Sequence, residues 1–180
     1  MIHYNKALDI LKKNKIEIKN EFIQSKDSIS RISSANIYSP NNYPADNNTA
    51  FDGFAVNYKD TLNLNKKKNK KFKIIKTIAA GDNPIIKNVS RLSAIEVMTG
   101  ALIKKPFNTI IPIEQVKFFT DKKNKKFIII NKKYKKNEFI RFIGSDYKKG
   151  DLIIKKGDIV KPAHVLAFKT LGIEKVLVKK

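Results

Sequence analysis

The chain has 180 residues, with 38 Lys and Arg against 16 Asp and Glu, a formal net charge of +22, and no cysteine. That length suits one large domain or two small ones with a real core. The missing cysteines exclude a disulfide framework, a thiolate nucleophile and a Cys-type zinc site, and with only His3 and His164 a histidine-rich metal site is excluded as well. Met1 to Asp9 holds no apolar signal-peptide core, and no run approaches the roughly 20 apolar residues of a membrane span, so a cytoplasmic protein without a membrane partner is expected.

A charge of +22 is compatible with a nucleic-acid partner, because clustered cations gain affinity by releasing counterions. The detail argues against it. Arg31, Arg91 and Arg141 are the only arginines, whereas phosphate and base recognition draw on the bidentate arginine fork. The excess is lysine, with abundant isoleucine and asparagine, as an AT-rich coding sequence produces. No interleaved aromatic platform for stacking bases accompanies it. A basic nucleic-acid-binding protein is the third-ranked reading, and no nucleic-acid partner is expected.

In chain order, Tyr4 to Lys13 carries Ala7, Leu8 and Leu11 at helical spacing and predicts an amphipathic helix ending at Asn14. Ile16 to Ile18 alternates like a strand, Ser25 to Ile32 predicts a second helix, and Ala35 to Tyr38 an extended segment. From Ser39 to Asn48 a polar, proline-containing loop marks a domain crossing. Asp52-Gly53 reads as a tight turn in which glycine takes positive φ, and Phe54 to Val56 opens a half-buried strand. Phe72 to Ile78, Ile95 to Met98, Thr109 to Ile113 and Phe127 to Ile130 are further strands. Lys66 to Lys71 and Lys122 to Lys126 read as exposed hairpin tips. After Asn137 come a polar turn at Asp146 to Gly150 and a strand at Leu152 to Ile154. A helix follows, with Pro162 at its first position, Gly172 beyond its end, and Val165, Leu166 and Leu171 on its apolar face. Ile173 to Val178 closes as a strand. Helices and strands at both ends around a β-rich middle predict an α+β fold, in which residues 1–40 plus 137–180 form one mixed domain and residues 41–136 are an inserted β-rich, barrel-like domain.

The stretch Asn47-Asn48-Thr49-Ala50-Phe51-Asp52-Gly53-Phe54-Ala55 resembles the Asn-Ser-Ala-Met-Asp-Gly-Tyr-Ala signature of the MoeA/gephyrin family of molybdopterin molybdotransferases, with Thr49 for serine, Phe51 for methionine and Phe54 for tyrosine. Four further blocks agree in order. Val97-Met98-Thr99-Gly100-Ala101 is similar to the family's Ile-Met-Thr-Gly-Ala, and Asn108 to Glu114 to the strand that follows it. Phe139 to Asp146 is similar to the Asn-Ile-Arg-x-x-Gly-Glu-Asp segment, with Ser145 in place of glutamate. The run from Gly150 to Val178 matches as well. The resemblance covers most of the chain from Tyr43 onward and implies the fold just described, an elongated first domain carrying a β-rich insertion.

On the residues alone, Asp52 is a turn aspartate, Thr99 ends a strand, Asp146 caps a turn, and Arg141 makes a structural ion pair. The resemblance places Asp52, Thr99 and Asp146 in a catalytic cleft and gives Thr99, Gly100 and Arg141 a cofactor-binding role. It also gives Asp52 a metal role toward Mg2+ or molybdate. A hydroxyl beside backbone N–H groups at a glycine turn suits an oxyanion, and carboxylates suit magnesium on a pyrophosphate. The implied reaction inserts molybdate into adenylated molybdopterin with release of AMP, in a homodimer that receives its substrate from molybdopterin adenylyltransferase.

Family members continue past the point matching Lys180 into a larger α/β domain and a small β domain. The expectation is therefore that this chain alone is incomplete and inactive, either as a fragment or as one half of an enzyme whose catalytic domain is separately encoded. The runner-up is a non-catalytic docking or dimerisation module of the same family.

Overall fold

A computed structural model describes residues 2–14 and 16–180. The elements in chain order are α1 (Tyr4–Lys13), β1 (Asn20–Gln24), β2 (Ile37–Tyr38), β3 (Asn48–Thr49), β4 (Gly53–Val56), β5 (Lys70–Ile78) and β6 (Ser93–Val97). They continue with β7 (Thr109–Pro112), β8 (Lys117–Thr120), β9 (Lys126–Ile130), β10 (Ile140–Arg141), β11 (Leu152–Ile154), α2 (Pro162–Thr170) and β12 (Lys175–Lys179). Two compact units result, one of residues 1–41 and 149–180, the other of residues 42–148.

The first unit is built from both chain ends. β1 pairs antiparallel with β12, Phe22 opposite Leu177, and β2 pairs antiparallel with β11 through a bulge. Ile154, Val160, Phe168, Val176 and Val178 form its core. Pro162 opens α2, and His164 Nδ1 accepts the Lys161 N–H at 3.0 Å. Beyond the last turn the Ile173 N–H reaches Phe168 O at 2.7 Å and the Gly172 N–H reaches Lys169 O at 3.2 Å, a Schellman closure. The buried face of α2 is Ala167 and Phe168, continued by Leu171, while Leu166 is exposed. The helical pattern read from sequence was therefore right in extent and rotated in facing.

Two other expectations fail here. Residues 16–19 form no strand; the β1–β12 ladder begins with Asn20 opposite Lys179, flanked by the Lys180 N–H on Lys19 O at 2.9 Å. Ser25 to Ile32 contains a single 3-10 turn at Ser25–Asp27. The Ser28 hydroxyl bonds Ser25 O at 2.6 Å and Ser30 takes φ +67, so local side-chain bonding and a left-handed residue stop the helix. α1 forms as expected and buries none of its residues.

The second unit is organised on a six-stranded sheet in the order β7-β4-β6-β5-β9-β8, antiparallel except for the parallel β5–β6 pair. β4 is buried along its whole length. Phe54 and Val56 join one core with Phe72, Ile111 and Ile128, and Ala55 joins the other with Ile78, Ile95 and Ile110. This is the period-2 alternation of a strand covered on both faces. Laid flat, β8 would lie four strands from β4, about 19 Å away at a spacing of ~4.8 Å. Yet the rings of Phe54 and Phe118 are 5.7 Å apart, so the sheet curls into half a barrel.

Residues 137–148 belong to this second unit, whereas the sequence reading returned the chain to the first unit at 137. The reason is pairing: β10 lies antiparallel to β3, and the Ile110 N–H donates to Glu138 O at 3.0 Å. The Lys66 to Lys71 run is likewise only half a turn, since Lys70 and Lys71 are in β5 and the Lys71 ammonium sits 3.5 Å over the Phe119 ring. Lys122–Lys125 does form the tip between β8 and β9, where Asp121 Oδ1 accepts the N–H groups of Lys123 and Lys125.

Candidate functional site

Asp52 stands at the entry to β4, where Gly53 faces Val97 on one side and Pro112 on the other. A Cβ on residue 53 would lie 2.1 Å from the Ile111 carbonyl oxygen. Glycine is required there by close strand approach, and not by the positive φ expected of a tight turn, which Gly53 does not adopt. The Thr49 hydroxyl donates to Phe51 O at 2.5 Å, setting the bend that leads into Asp52.

Thr99, 47 positions later, meets this aspartate with two donors. Its backbone N–H and its hydroxyl each reach Asp52 Oδ1 at 2.7 Å. The backbone bond first and the hydroxyl second hold the Asp52 carboxyl below the usual carboxylate range, against a smaller opposing effect of desolvation. The group is ionised at neutral pH, and Oδ2 makes no hydrogen bond among the described residues.

The turn that follows Thr99 is closed internally. Gly100 takes φ +86, its N–H donates to Thr49 O at 3.0 Å, and the Ala101 N–H donates to Met98 O at 2.9 Å. With the Thr99 donors on Asp52, no backbone N–H of residues 99–101 is left for a ligand. The backbone donors around Thr99 and Gly100, expected to face an oxyanion, are engaged within the fold. What the turn does is fix a carboxylate.

Arg141 and Asp146 form a second pair through Nη2 and Oδ2, with Ser145 Oγ at 3.2 Å from Asp146 Oδ1 and the guanidinium 5.5 Å from the Tyr43 ring. Between the two pairs runs the segment 47–50. Ile103 N donates to Asn47 O and Thr49 N to Ala101 O on one flank, while Ala50 N donates to Phe139 O on the other. Among the described residues no hydrogen bond or ion pair joins Asp52–Thr99 to Arg141–Asp146. Arg141 is thus already matched by a carboxylate.

Two polar features of this segment escaped the sequence reading. Asp46 is ion-paired to Lys104, whose hydrogen bond is the main cause of its lowered pKa. Asn48 Oδ1 is buried without a hydrogen-bond partner among the described residues. Neither carries a sequence signal beyond its place in a polar loop.

Magnesium wants six oxygen ligands, commonly one or two carboxylates with waters and phosphate oxygens. The free oxygen of Asp52 is one such donor. No group of three or more His, Cys, Asp or Glu able to hold a metal occurs among the described residues. Among the described residues Asp52 is thus one oxygen donor, too few by itself to hold magnesium.

A curled sheet entered by Asp-Gly, with a Met-Thr-Gly turn clamping the aspartate, defines a class of protein, and residues 2–172 match the family model of the MoeA N-terminal region (domain I and II). The chain belongs to that family. It is 31% identical over 161 residues to the molybdopterin molybdenumtransferase of Haemophilus influenzae, covering 87% of this chain and 36% of that protein. With the molybdopterin molybdenumtransferase of Bacillus subtilis it shares 28% over 156 residues, again 87% of this chain and 36% of the relative. The crystal structure of the molybdopterin biosynthesis MoeA protein from Pyrococcus horikoshii OT3 superposes with a TM-score of 0.85 at 30% identity, over 99% of this chain and 46% of that one. The chain thus spans little more than a third of the length of the curated relatives it matches. No helix among the described residues is long and apolar enough to cross a membrane.

Proposed function

We propose that this chain takes part in molybdenum cofactor biosynthesis as a share of a molybdopterin molybdotransferase, which inserts molybdate into adenylated molybdopterin and releases AMP. The observation that carries the reading is the family match over residues 2–172. The Asp52–Thr99 pair supports it, standing where the resemblance sets the catalytic cleft. In this reading Asp52 is the working group: ionised, held at one oxygen, and open at the other to accept a hydrogen bond from substrate or water. Thr99 is a positioning residue that fixes Asp52. Asp146, neutralised by Arg141, shapes the neighbouring loop, and neither is assigned a contact to the phosphates.

These residues supply part of a site, since nearly two thirds of the relatives' length has no counterpart in them. Any magnesium in the reaction would take most of its ligands from outside them, and no step is assigned to it here. Adenylated molybdopterin would come from molybdopterin adenylyltransferase, in the cytoplasm. A homodimer is also proposed, in line with the resemblance. The exposed Tyr4 and Leu11 of α1, which buries nothing within its own unit, support it. A second reading, a docking or dimerisation module, draws on the closed turn at residues 99–101 and the absence of a metal-ligand cluster among the described residues.

The test is complementation of a molybdotransferase-deficient strain by this chain alone and by this chain with the remaining domains of a relative, each as wild type and as Asp52→Ala. Molybdoenzyme activity that needs the added domains and is lost in Asp52→Ala supports the proposal. Activity indifferent to Asp52→Ala removes Asp52 from the mechanism. No activity from folded, co-purifying partners favours the docking module.

A further inference from the structure

The second unit contains an open cavity of about 580 Å³ that shares no lining residue with the Asp52–Thr99 or Arg141–Asp146 pairs. That volume is within the roughly 300–1,000 Å³ of small-molecule sites. Asn47, Asn57, Asn108, Lys59, Lys105 and Lys136 are among its lining residues, and no acidic residue is. The floor is apolar, made by Ile103 and Phe107, which are buried, and the half-buried Ile140.

Three of the four lining asparagines are locked in one sense, Asn137 being the fourth. Asn108 Oδ1 accepts the Tyr58 N–H at 2.9 Å, Asn57 Oδ1 accepts the Lys59 N–H at 3.1 Å, and Asn47 Oδ1 accepts the Ile143 N–H at 2.9 Å. Each carboxamide oxygen is thus turned toward the fold, and its NH2 group is without a partner among the described residues. The lysines are free in the same sense: Lys59, Lys105 and Lys136 make no ion pair among the described residues. The carboxylates nearest in sequence are engaged elsewhere, Asp46 by Lys104, Asp60 by Arg91 and the Leu92 N–H, and Glu138 by the Lys135 N–H. The cavity therefore offers amide donors and positive charge, with no carboxylate, above an apolar floor.

We propose that this cavity binds a small organic phosphate, its phosphoryl group held by the asparagine amides and lysine ammoniums and its apolar or planar part resting on Phe107 and Ile103. A phosphate monoester matches the set better than a carboxylate does. It brings nearly two charges to three ammoniums, and three terminal oxygens to the unpartnered NH2 donors. The inference is independent of the molybdotransferase reading, since it uses none of that reading's residues.

The experiment is a titration of the full 180-residue chain, followed through backbone and asparagine side-chain amide resonances, with phenyl phosphate, inorganic phosphate, benzoate and phenol as probes. Saturable shifts at Asn57, Asn108 and Phe107 are expected with phenyl phosphate, and weaker ones with inorganic phosphate. Asn108→Asp keeps the acceptor for the Tyr58 N–H and turns the outward donor into an anion, so it should weaken phenyl phosphate at least tenfold without lowering the melting temperature. Lys105→Gln with Lys136→Gln, which disturbs no packing, should weaken it severalfold. Lys122→Gln with Lys123→Gln at the β8–β9 tip should change nothing. Absence of saturable shifts at the lining residues, equal binding of benzoate, or equal loss in the tip variant would overturn the proposal. The last outcome would show diffuse surface charge instead of a site.

Discussion

Replacing Gly53 by alanine tests whether β4 is pinched between its neighbours. The new Cβ would lie 2.1 Å from Ile111 O and 3.0 Å from Ile111 C and Pro112 Cα. Carbon and oxygen rest no closer than about 3.3 Å, so the strands have to part by roughly an ångström. All three atoms are backbone, and no rotamer change relieves the clash. Overpacking of this kind costs roughly 1–3 kcal/mol, and parting the β4–β7 ladder forfeits one or two hydrogen bonds at roughly 0.5–1.5 kcal/mol each. A loss of about 3 kcal/mol follows, which for a chain of this size lowers Tm by roughly 6–12 °C. Urea unfolding followed by circular dichroism measures it, with hydrogen exchange of the β4 and β6 amides to localise the effect to the second unit. Gly100→Ala is the comparison: its Cβ would meet only Ala80 Cβ at 3.5 Å, and the cost there is the strain of φ +86, about 1–2 kcal/mol. Gly53→Ala within about 0.5 kcal/mol of wild type, the size of an ordinary surface change, or no worse than Gly100→Ala, would refute the reasoning.

Thr99→Val removes the hydroxyl bond to Asp52 and leaves the larger backbone bond, so the Asp52 pKa should rise toward its ordinary value and stop short of it, as carbon-13 NMR of the carboxyl would read. Because the folded pKa is depressed, the stabilisation is present above the unfolded value and is lost as pH falls through the folded one; the variant should lose it at higher pH, and an unmoved titration would discount the hydroxyl. Tyr134 is pushed up to about 12, by burial first and by Glu138 second. Its contribution to stability is therefore intact below the ordinary tyrosine value near 10 and declines between there and about pH 12. Phenolate absorbance of one tyrosine lagging by this margin would confirm it. Asp60→Ala strips the Leu92 N–H of its acceptor at 3.0 Å and should cost roughly 1–3 kcal/mol in urea unfolding, with a neutral result showing that water replaces the carboxylate. If α1 mediates a homodimer, Leu8→Lys with Leu11→Lys should yield a monomer by light scattering, and an unchanged mass would acquit the helix.

The strands with a clear apolar run were legible because burial on a pleated sheet imposes its own pattern, as in Phe72 to Ile78 and Phe127 to Ile130, which appear within β5 and β9. β8 was not legible. Its four residues, Lys117 to Thr120, are all exposed, so no burial pattern marks them, and pairing with β9 and the curl that brings Phe118 to Phe54 give the strand its place.

The sequence by itself determined the class of fold and the family, and singled out Asp52 and Thr99 as candidates, since local propensity, apolar periodicity and short motifs are properties of contiguous residues. Only the tertiary structure decided which groups meet. It set Thr99 on Asp52 across 47 positions, consumed the donors of the Gly100 turn, and paired Arg141 with Asp146. It also drew residues 137–148 into the second unit through β3 and β10. Those outcomes depend on strand order and on competition for each hydrogen-bonding group, which no local window of sequence contains.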